Sequence, residues 1–115
     1  MKKQIAIIGA AGKMGRRTGK NLREHDDFEV LCVEVSENGR EQLESEGYRV
    51  VGADEAARIA DVIVLAIPDR VMGQVTHTLV PNLRAGTLVI GLDPAAAHAG
   101  VMLERKDITY FVTHP

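Results

Sequence analysis

The chain has little with which to staple itself together. One of its 115 residues is cysteine, Cys32, and none is tryptophan. A lone cysteine excludes a disulfide framework and a thiolate metal site within the chain. Cys32 lies inside an apolar run, where a thiol packs as a small hydrophobe rather than acting as a nucleophile. The aromatic residues are Phe28, Tyr48, Tyr110 and Phe111 alone. A core must therefore be built from Val, Ile, Leu, Ala and Met, a palette suited to strands covered by helices on both faces. Long hydrophobic runs are also missing. The longest, Val62 to Pro68, is far too short to span a bilayer. The apolar stretch after Lys2 and Lys3 breaks at Gly9 and turns basic at Lys13, unlike the core of a secretory signal. These absences imply a cytoplasmic protein without a membrane partner. The formal charge of -2 gives no reason to expect nucleic acid. Arg16, Arg17 and Lys20 follow a glycine loop directly, and a single phosphate group accounts for them better than a nucleic-acid groove.

What is present is an alternation. Gln4 to Ile8 reads as a buried strand, Gly9 to Gly15 as a glycine-rich turn and Met14 to Glu24 as a helix. Phe28 to Glu34 returns to strand, Gly39 to Glu46 to a short helix, and Tyr48 to Val51 to a brief third strand. Asp54 is placed to cap a helix over Glu55 to Ile59. Val62 to Ile67 is a continuous apolar run typical of a central parallel strand, ended by Pro68, which cannot donate to a ladder. Val71, Val75, Leu79 and Leu83 fall on one helical face, and Pro81 shortens that helix. Thr87 to Leu92 is a fifth strand, Asp93-Pro94 opens a short alanine-rich helix or turn, and Ile108 to Val112 is a sixth strand. This order implies an α/β, Rossmann-type, doubly wound and mostly parallel six-stranded sheet with helices on both faces. Its last strand brings Thr113-His114-Pro115 to the carboxyl edge of the sheet, where open α/β sheets bind ligands. A site is opened there and not completed. Residues 1–115 are accordingly expected to be one NAD(P)-binding domain, with a C-terminal substrate domain absent from this chain.

The sharpest motif is Gly9-Ala10-Ala11-Gly12-Lys13-Met14-Gly15, set between a strand and a helix. Gly9 permits a tight turn, Gly12 lets the backbone approach a pyrophosphate, and Gly15 lets the helix pack closely on the sheet. The loop backbone through Ala11, Lys13 and Met14 then offers helix N-terminal amides to the anion. The spacing is GxxGxxG rather than GxGxxG, with Ala11 near the usual second glycine. Lys13 is not a Walker lysine, since no GK[ST] arrangement exists. Glu34 ends the second strand, where a carboxylate accepts hydrogen bonds from an adenosine ribose diol and repels the extra phosphate of NADP. NAD is therefore favoured over NADP. Arg40, folding back toward the ribose, would reverse that choice, with Ser36 or Arg40 then meeting the phosphate. The bland alternative for Glu34 is a solvent-facing strand end.

Three further segments lie at the carboxyl edge. Ala66, Ile67 and Pro68 end the fourth strand beside the middle of an extended dinucleotide. Asp69, just after them, suits a helix cap better than chemistry. Asp93 ends the fifth strand and either orients a substrate hydroxyl or a histidine, or caps Ala95 to Ala97. His98 stays in play through its position alone, whereas His25 and His77 lie on helical stretches and look structural or solvent-facing. His114 is the candidate for proton chemistry: oxidising an alcohol with a nicotinamide needs a base, and imidazole titrates near neutrality. Its alternative is an exposed histidine near the end of the sequence. No histidine spacing suggests a metal.

Together, Ile5 to Gly15, Glu34-Val35-Ser36, Val64 to Asp69, Leu92 to Ala96 and Tyr110 to Pro115 resemble the phosphogluconate-dehydrogenase-like superfamily of 3-hydroxyacid dehydrogenases, and within it the sugar-acid oxidoisomerases. The resemblance implies a Rossmann domain with Gly9, Gly12 and Gly15 on the pyrophosphate and Glu34 on the ribose. It also implies a helical second domain that completes the substrate site and forms a homodimer, and NAD-dependent oxidation of a hydroxy acid or sugar acid. Thr113-His114-Pro115 resembles the Ser-His-Pro element of prephenate dehydrogenases, whose histidine contacts the substrate hydroxyl. The loop departs from the compact Gly-x-Gly-x-Met-Gly of ordinary 3-hydroxyisobutyrate dehydrogenases. Two other readings stand beside this one: a non-enzymatic dinucleotide-sensing module, and an NAD(P)H-dependent reductase running hydride the other way.

Overall fold

Six apolar runs lie side by side as one sheet in the computed structural model, which describes residues 2–67, 69–91 and 107–112. The elements are β1 (Lys3–Ile8), α1 (Lys13–Arg23), β2 (Phe28–Val33), α2 (Glu37–Ser45), β3 (Arg49–Val50), α3 (Ala53–Ile59), β4 (Val62–Leu65), α4 (Asp69–Leu79), a 3-10 turn (Val80–Asn82), β5 (Leu88–Gly91) and β6 (Thr109–Val112). The strand order is β3-β2-β1-β4-β5-β6, and every neighbouring pair is parallel. The chain therefore winds outward from β1 in one direction, then crosses over and winds outward in the other. The crevice between β1 and β4 is the switch point at which such sheets take ligands. Register brings the strand ends level there: Ile8 pairs with Val33 and Leu65, and Leu65 pairs with Gly91. Gly9, Glu34 and Ala66 each follow one of these ends directly.

The two faces of β1 divide the core. Ala6 and Ile8 join Leu31, Ile63, Leu65 and Val89 under α3 and α4, with Ala56, Ala57 and Leu79 packed on them. Ile5 and Ile7 face the other way, with Cys32, Val64, Leu43 and the half-buried Met14 and Leu22. Cys32 is a core residue, and burial pushes its thiol up to about 11, against the pull of Arg23 and Arg16. The opposite, amino-terminal edge of the sheet is tied by Asp61. Its carboxylate accepts from the Gln4 amide at 2.9 Å and from Arg84 at 3.0 Å, and Arg84 also reaches the Ala60 carbonyl at 2.9 Å. The Gln4 amide, with Arg84 behind it, holds the Asp61 carboxyl below the usual range against the opposing effect of its burial.

Some local readings are corrected. Asp54 does not cap α3. The first helical bond runs from the Ala56 amide to the Gly52 carbonyl at 3.0 Å, so Gly52 is the cap and Asp54 sits in the first turn. α2 starts two residues earlier than its pattern suggests, because the Ser36 hydroxyl accepts from the Gly39 amide at 2.9 Å and caps it. The amphipathic stretch from Val71 divides at Leu79. Pro81 has no N–H to extend the α-helix, and the chain tightens into a 3-10 turn. His25 lies beyond the end of α1, with its ring edge-on to Phe28 at 5.8 Å. Among the described residues, no helix is long and apolar enough to cross a membrane.

Candidate functional site

The turn from β1 to α1 is held by backbone bonds. The Gly9 and Ala10 amides donate to the Val33 carbonyl, and the Gly12 amide donates to the Gly9 carbonyl at 3.1 Å. The three glycines then part company. Gly9 has φ +81, and a Cβ there would lie 2.6 Å from the Ala66 carbonyl oxygen and 2.7 Å from Ile67 Cγ2. A Cβ on Gly15 would overlap the Gly9 carbonyl oxygen and stand 2.8 Å from Ala10 Cα. Both positions are closed by the fold itself, which brings strand, turn and helix together without side chains between them. Gly12 is different. A Cβ there would meet only the Gly9 carbonyl oxygen among the described residues, at 3.4 Å, which is ordinary contact. Nothing within the described fold requires a glycine at this position.

Gly12 is also the cap residue of α1, and it supplies no side chain to the first-turn amides. No acid lies in that turn. An uncapped helix start of this kind presents N–H groups and the positive end of the helix dipole to an anion. Lys13 is exposed beside it, while Met14 is half-buried against the core.

Glu34 is drawn into this turn. One carboxylate oxygen accepts from the Ala11 amide and the other from the Ser36 amide, each at 3.1 Å. The side chain thereby bridges the glycine loop to the start of α2. It is not a solvent-facing strand end. Each oxygen keeps a further lone pair for a ligand. Ser36 is committed through its hydroxyl to capping α2. Arg40 folds back from α2, but its guanidinium donates to the backbone carbonyl of Glu34, at 3.4 Å. Arg16 has two of its guanidinium nitrogens engaged within the fold. It donates to the Ala11 carbonyl at 3.2 Å and pairs with Glu46 at 2.9 Å.

A cleft of about 480 Å³ opens from Gly9 and Glu34 across the ends of β1, β2 and β4, and runs down between α3 and α4. Ile8, Val33, Ile67, Val75 and Leu79 make it largely apolar. Val35 lines it and is 91% exposed, a large hydrophobic side chain that no described residue covers. Asp54, Gln74, Thr78 and Asn82 add polar groups to the cleft lining. Ala66 and Ile67 are buried, with Ile67 both under Gly9 and in the cleft wall.

The structure thus gathers Gly9, Ala11, Gly12, Lys13, Met14, Gly15, Glu34, Ser36, Ala66 and Ile67 at one sheet edge. Pro68, Asp93, His98 and His114 lie outside the described residues. The α3–α4 side of the cleft was not anticipated. Val35 was the available signal, since an isolated apolar residue next to a strand-end carboxylate has no core to join. Among the described residues, no cluster of His, Cys, Asp or Glu is arranged to hold a metal.

The whole chain, residues 1–115, matches the family model described as acetohydroxy acid isomeroreductase, NADPH-binding domain. The D-apionate oxidoisomerase of Cupriavidus necator is 47% identical over 116 residues, which cover all of this chain and 42% of that protein. The crystal structure of a semialdehyde dehydrogenase NAD-binding protein from Cupriavidus necator, in complex with calcium and NAD, aligns at TM-score 0.90. It is 46% identical and covers 100% of this chain and 42% of its own. The 3-hydroxyisobutyrate dehydrogenase of Mycobacterium tuberculosis shares the fold at TM-score 0.81 and 23% identity, over 99% of this chain and 40% of that one. The chain therefore spans about two fifths of the length of the curated relatives it matches.

Proposed function

Because this chain belongs to the acetohydroxy acid isomeroreductase NADPH-binding-domain family, we propose that its cleft holds a nicotinamide dinucleotide and that it is the cofactor-binding part of an oxidoreductase acting on a hydroxy acid or sugar acid. One observation carries the reading. α1 begins with a glycine that caps nothing and that the described fold does not itself require, directly beside a bridging carboxylate and an apolar cleft. A pyrophosphate explains the open helix start, and a ribose diol explains the carboxylate.

Each residue takes one role in this reading. The Lys13 and Met14 amides and the Gly12 backbone hold the pyrophosphate. Glu34 accepts from the ribose hydroxyls with its remaining lone pairs. Both of its oxygens are tethered, so the carboxylate does not swing aside for a ribose phosphate. That favours NAD over NADP, although the family is described by NADPH. Ser36 and Arg40 are spent on the α2 cap and on the Glu34 carbonyl. Val35 and Val75 both line the cleft, and the adenine packs against them. Ala66 and Ile67 border the path toward the nicotinamide, and Pro68 is assigned to the same cofactor contact. The bound cofactor supplies a centre that takes or gives hydride. His114 acts as the base for the substrate hydroxyl, and Asp93 orients it. For the whole protein, the 47% likeness to a D-apionate oxidoisomerase supports a branched sugar acid as substrate.

The test is titration of the purified chain with NADH and NADPH, with and without Glu34→Gln. NADH is expected to bind at least about tenfold more tightly than NADPH, since like charges at a bound phosphate cost upward of about 1.4 kcal/mol. Glu34→Gln is expected to narrow that ratio, chiefly by weakening NADH. A wild-type preference for NADPH would overturn the assignment of Glu34 as the discriminating group. Binding of neither dinucleotide would overturn the whole reading.

A further inference from the structure

The cleft is lined mostly by apolar residues, and its polar lining residues include Asp54, Gln74, Thr78 and Asn82. Two of these have turned a donor inward along α4. The Thr78 hydroxyl donates to the Gln74 carbonyl at 3.1 Å, and the Asn82 amide donates to the Thr78 carbonyl at 3.2 Å. What they still offer to the cleft is weighted toward acceptance. Asp54 is the charged member, and an ionised carboxylate only accepts. It is exposed, lines the cleft and makes no hydrogen bond or ion pair with any described residue. The fold does not use it as a cap either, since Gly52 fills that place.

We propose that Asp54 reads the base of the dinucleotide, accepting a hydrogen bond from the exocyclic 6-amino group of adenine. The inference rests on the dinucleotide reading above and adds a selectivity to it. A ribose held at Glu34 sends its base into the cleft that Val35 and Val75 line. The edge of the purine farthest from the sugar then faces α3, where Asp54 stands. An amino group there meets an acceptor. A hydrogen at the same position, as in unsubstituted purine, offers no donor, and the carboxylate loses its water without gaining a partner. A site built to bond one polar group rejects the analogue lacking it far more strongly than an apolar slot does.

The experiment compares NADH with reduced nicotinamide purine dinucleotide, in which hydrogen replaces the 6-amino group, on the wild-type chain and on Asp54→Ala. The side chain is exposed, and circular dichroism checks that the variant is folded. Wild-type protein is expected to bind NADH about tenfold more tightly than the purine analogue. In Asp54→Ala the acceptor is gone, and the ratio is expected to fall to within about threefold, with NADH losing. Equal binding of the two dinucleotides by the wild type overturns the inference while leaving the dinucleotide reading standing. A tenfold ratio that survives in Asp54→Ala overturns the assignment to Asp54. Binding of neither compound removes the dinucleotide reading and the inference with it.

Discussion

Gly12→Ala separates what the fold needs from what a ligand needs. Its backbone is extended at φ -73 and ψ 171, a conformation alanine adopts freely. The added methyl would touch the Gly9 carbonyl oxygen at 3.4 Å and no other described atom within contact range. Alanine is a poorer cap residue than glycine, which costs a fraction of about 1 kcal/mol. Loss of glycine's freedom in the unfolded chain returns about 0.4–1 kcal/mol. The two effects nearly cancel, so stability should stay within about 0.5 kcal/mol of wild type. Binding should not. A methyl where the phosphates approach lengthens or breaks at least one charge-assisted bond to the loop, worth about 1.5–3 kcal/mol, or a weakening of tenfold and more.

Gly15→Ala is the contrast. Its methyl would overlap the Gly9 carbonyl and crowd Ala10 Cα at 2.8 Å, so backbone must move. Overpacking of that kind costs about 1–3 kcal/mol, which at this chain length lowers the melting midpoint by about 4 °C per kcal/mol. The assay pairs urea unfolding followed by circular dichroism with titration of NADH fluorescence, which no tryptophan of the protein contaminates. The reasoning fails if Gly12→Ala destabilises as much as Gly15→Ala. It also fails if Gly12→Ala binds NADH within about twofold of wild type, for then the open position faces no phosphate.

Two predictions concern the scaffold. Asp61→Ala leaves the Gln4 amide unpaired at the sheet edge and should cost about 1 kcal/mol near neutral pH, with little added by the exposed Arg84 pair. Because the Asp61 carboxyl is held low in the folded state, its contribution is present above the unfolded value and is lost as pH falls through the folded one. The gap between variant and wild type should therefore shrink in acid, and a gap that holds constant down to about pH 2 contradicts the assignment. Cys32 titrates about 11 rather than at its ordinary 9.0, so its contribution is present below the ordinary value and is lost as pH climbs from there through the folded one. The native thiol should resist an aromatic disulfide reagent at pH 8, reacting only after denaturant is added; rapid reaction of the native protein would place it outside the core.

The sheet was legible because its strands are short apolar runs separated by turn chemistry, and parallel strands covered on both faces need no finer pattern. Val62 to Ile67 announces itself in this way. The ends were less legible, since hydrogen bonds and not hydrophobicity decide them. Ser36 caps α2 and Gly52 caps α3, although the more conspicuous polar residue near α3 is Asp54. β3 shrinks to Arg49 and Val50 because only Leu31 and Cys32 of β2 have partners there.

At the site, position was readable but commitment was not. Glu34 was placed at the strand end from its spacing. Its grip on the Ala11 and Ser36 amides depends on where the loop folds in space. The same holds for Arg16, whose nearness in sequence to the glycine loop points to phosphate, while Glu46, distant in sequence, pulls it into an ion pair. This difference bears on how cofactor preference can be changed. Replacing Glu34 alone removes a ribose acceptor, but it also frees the two amides that hold the loop to α2. A small side chain there should weaken both dinucleotides rather than exchange one for the other. A true exchange requires a residue that still accepts from the Ala11 and Ser36 amides, together with a freed Arg40 to meet the phosphate.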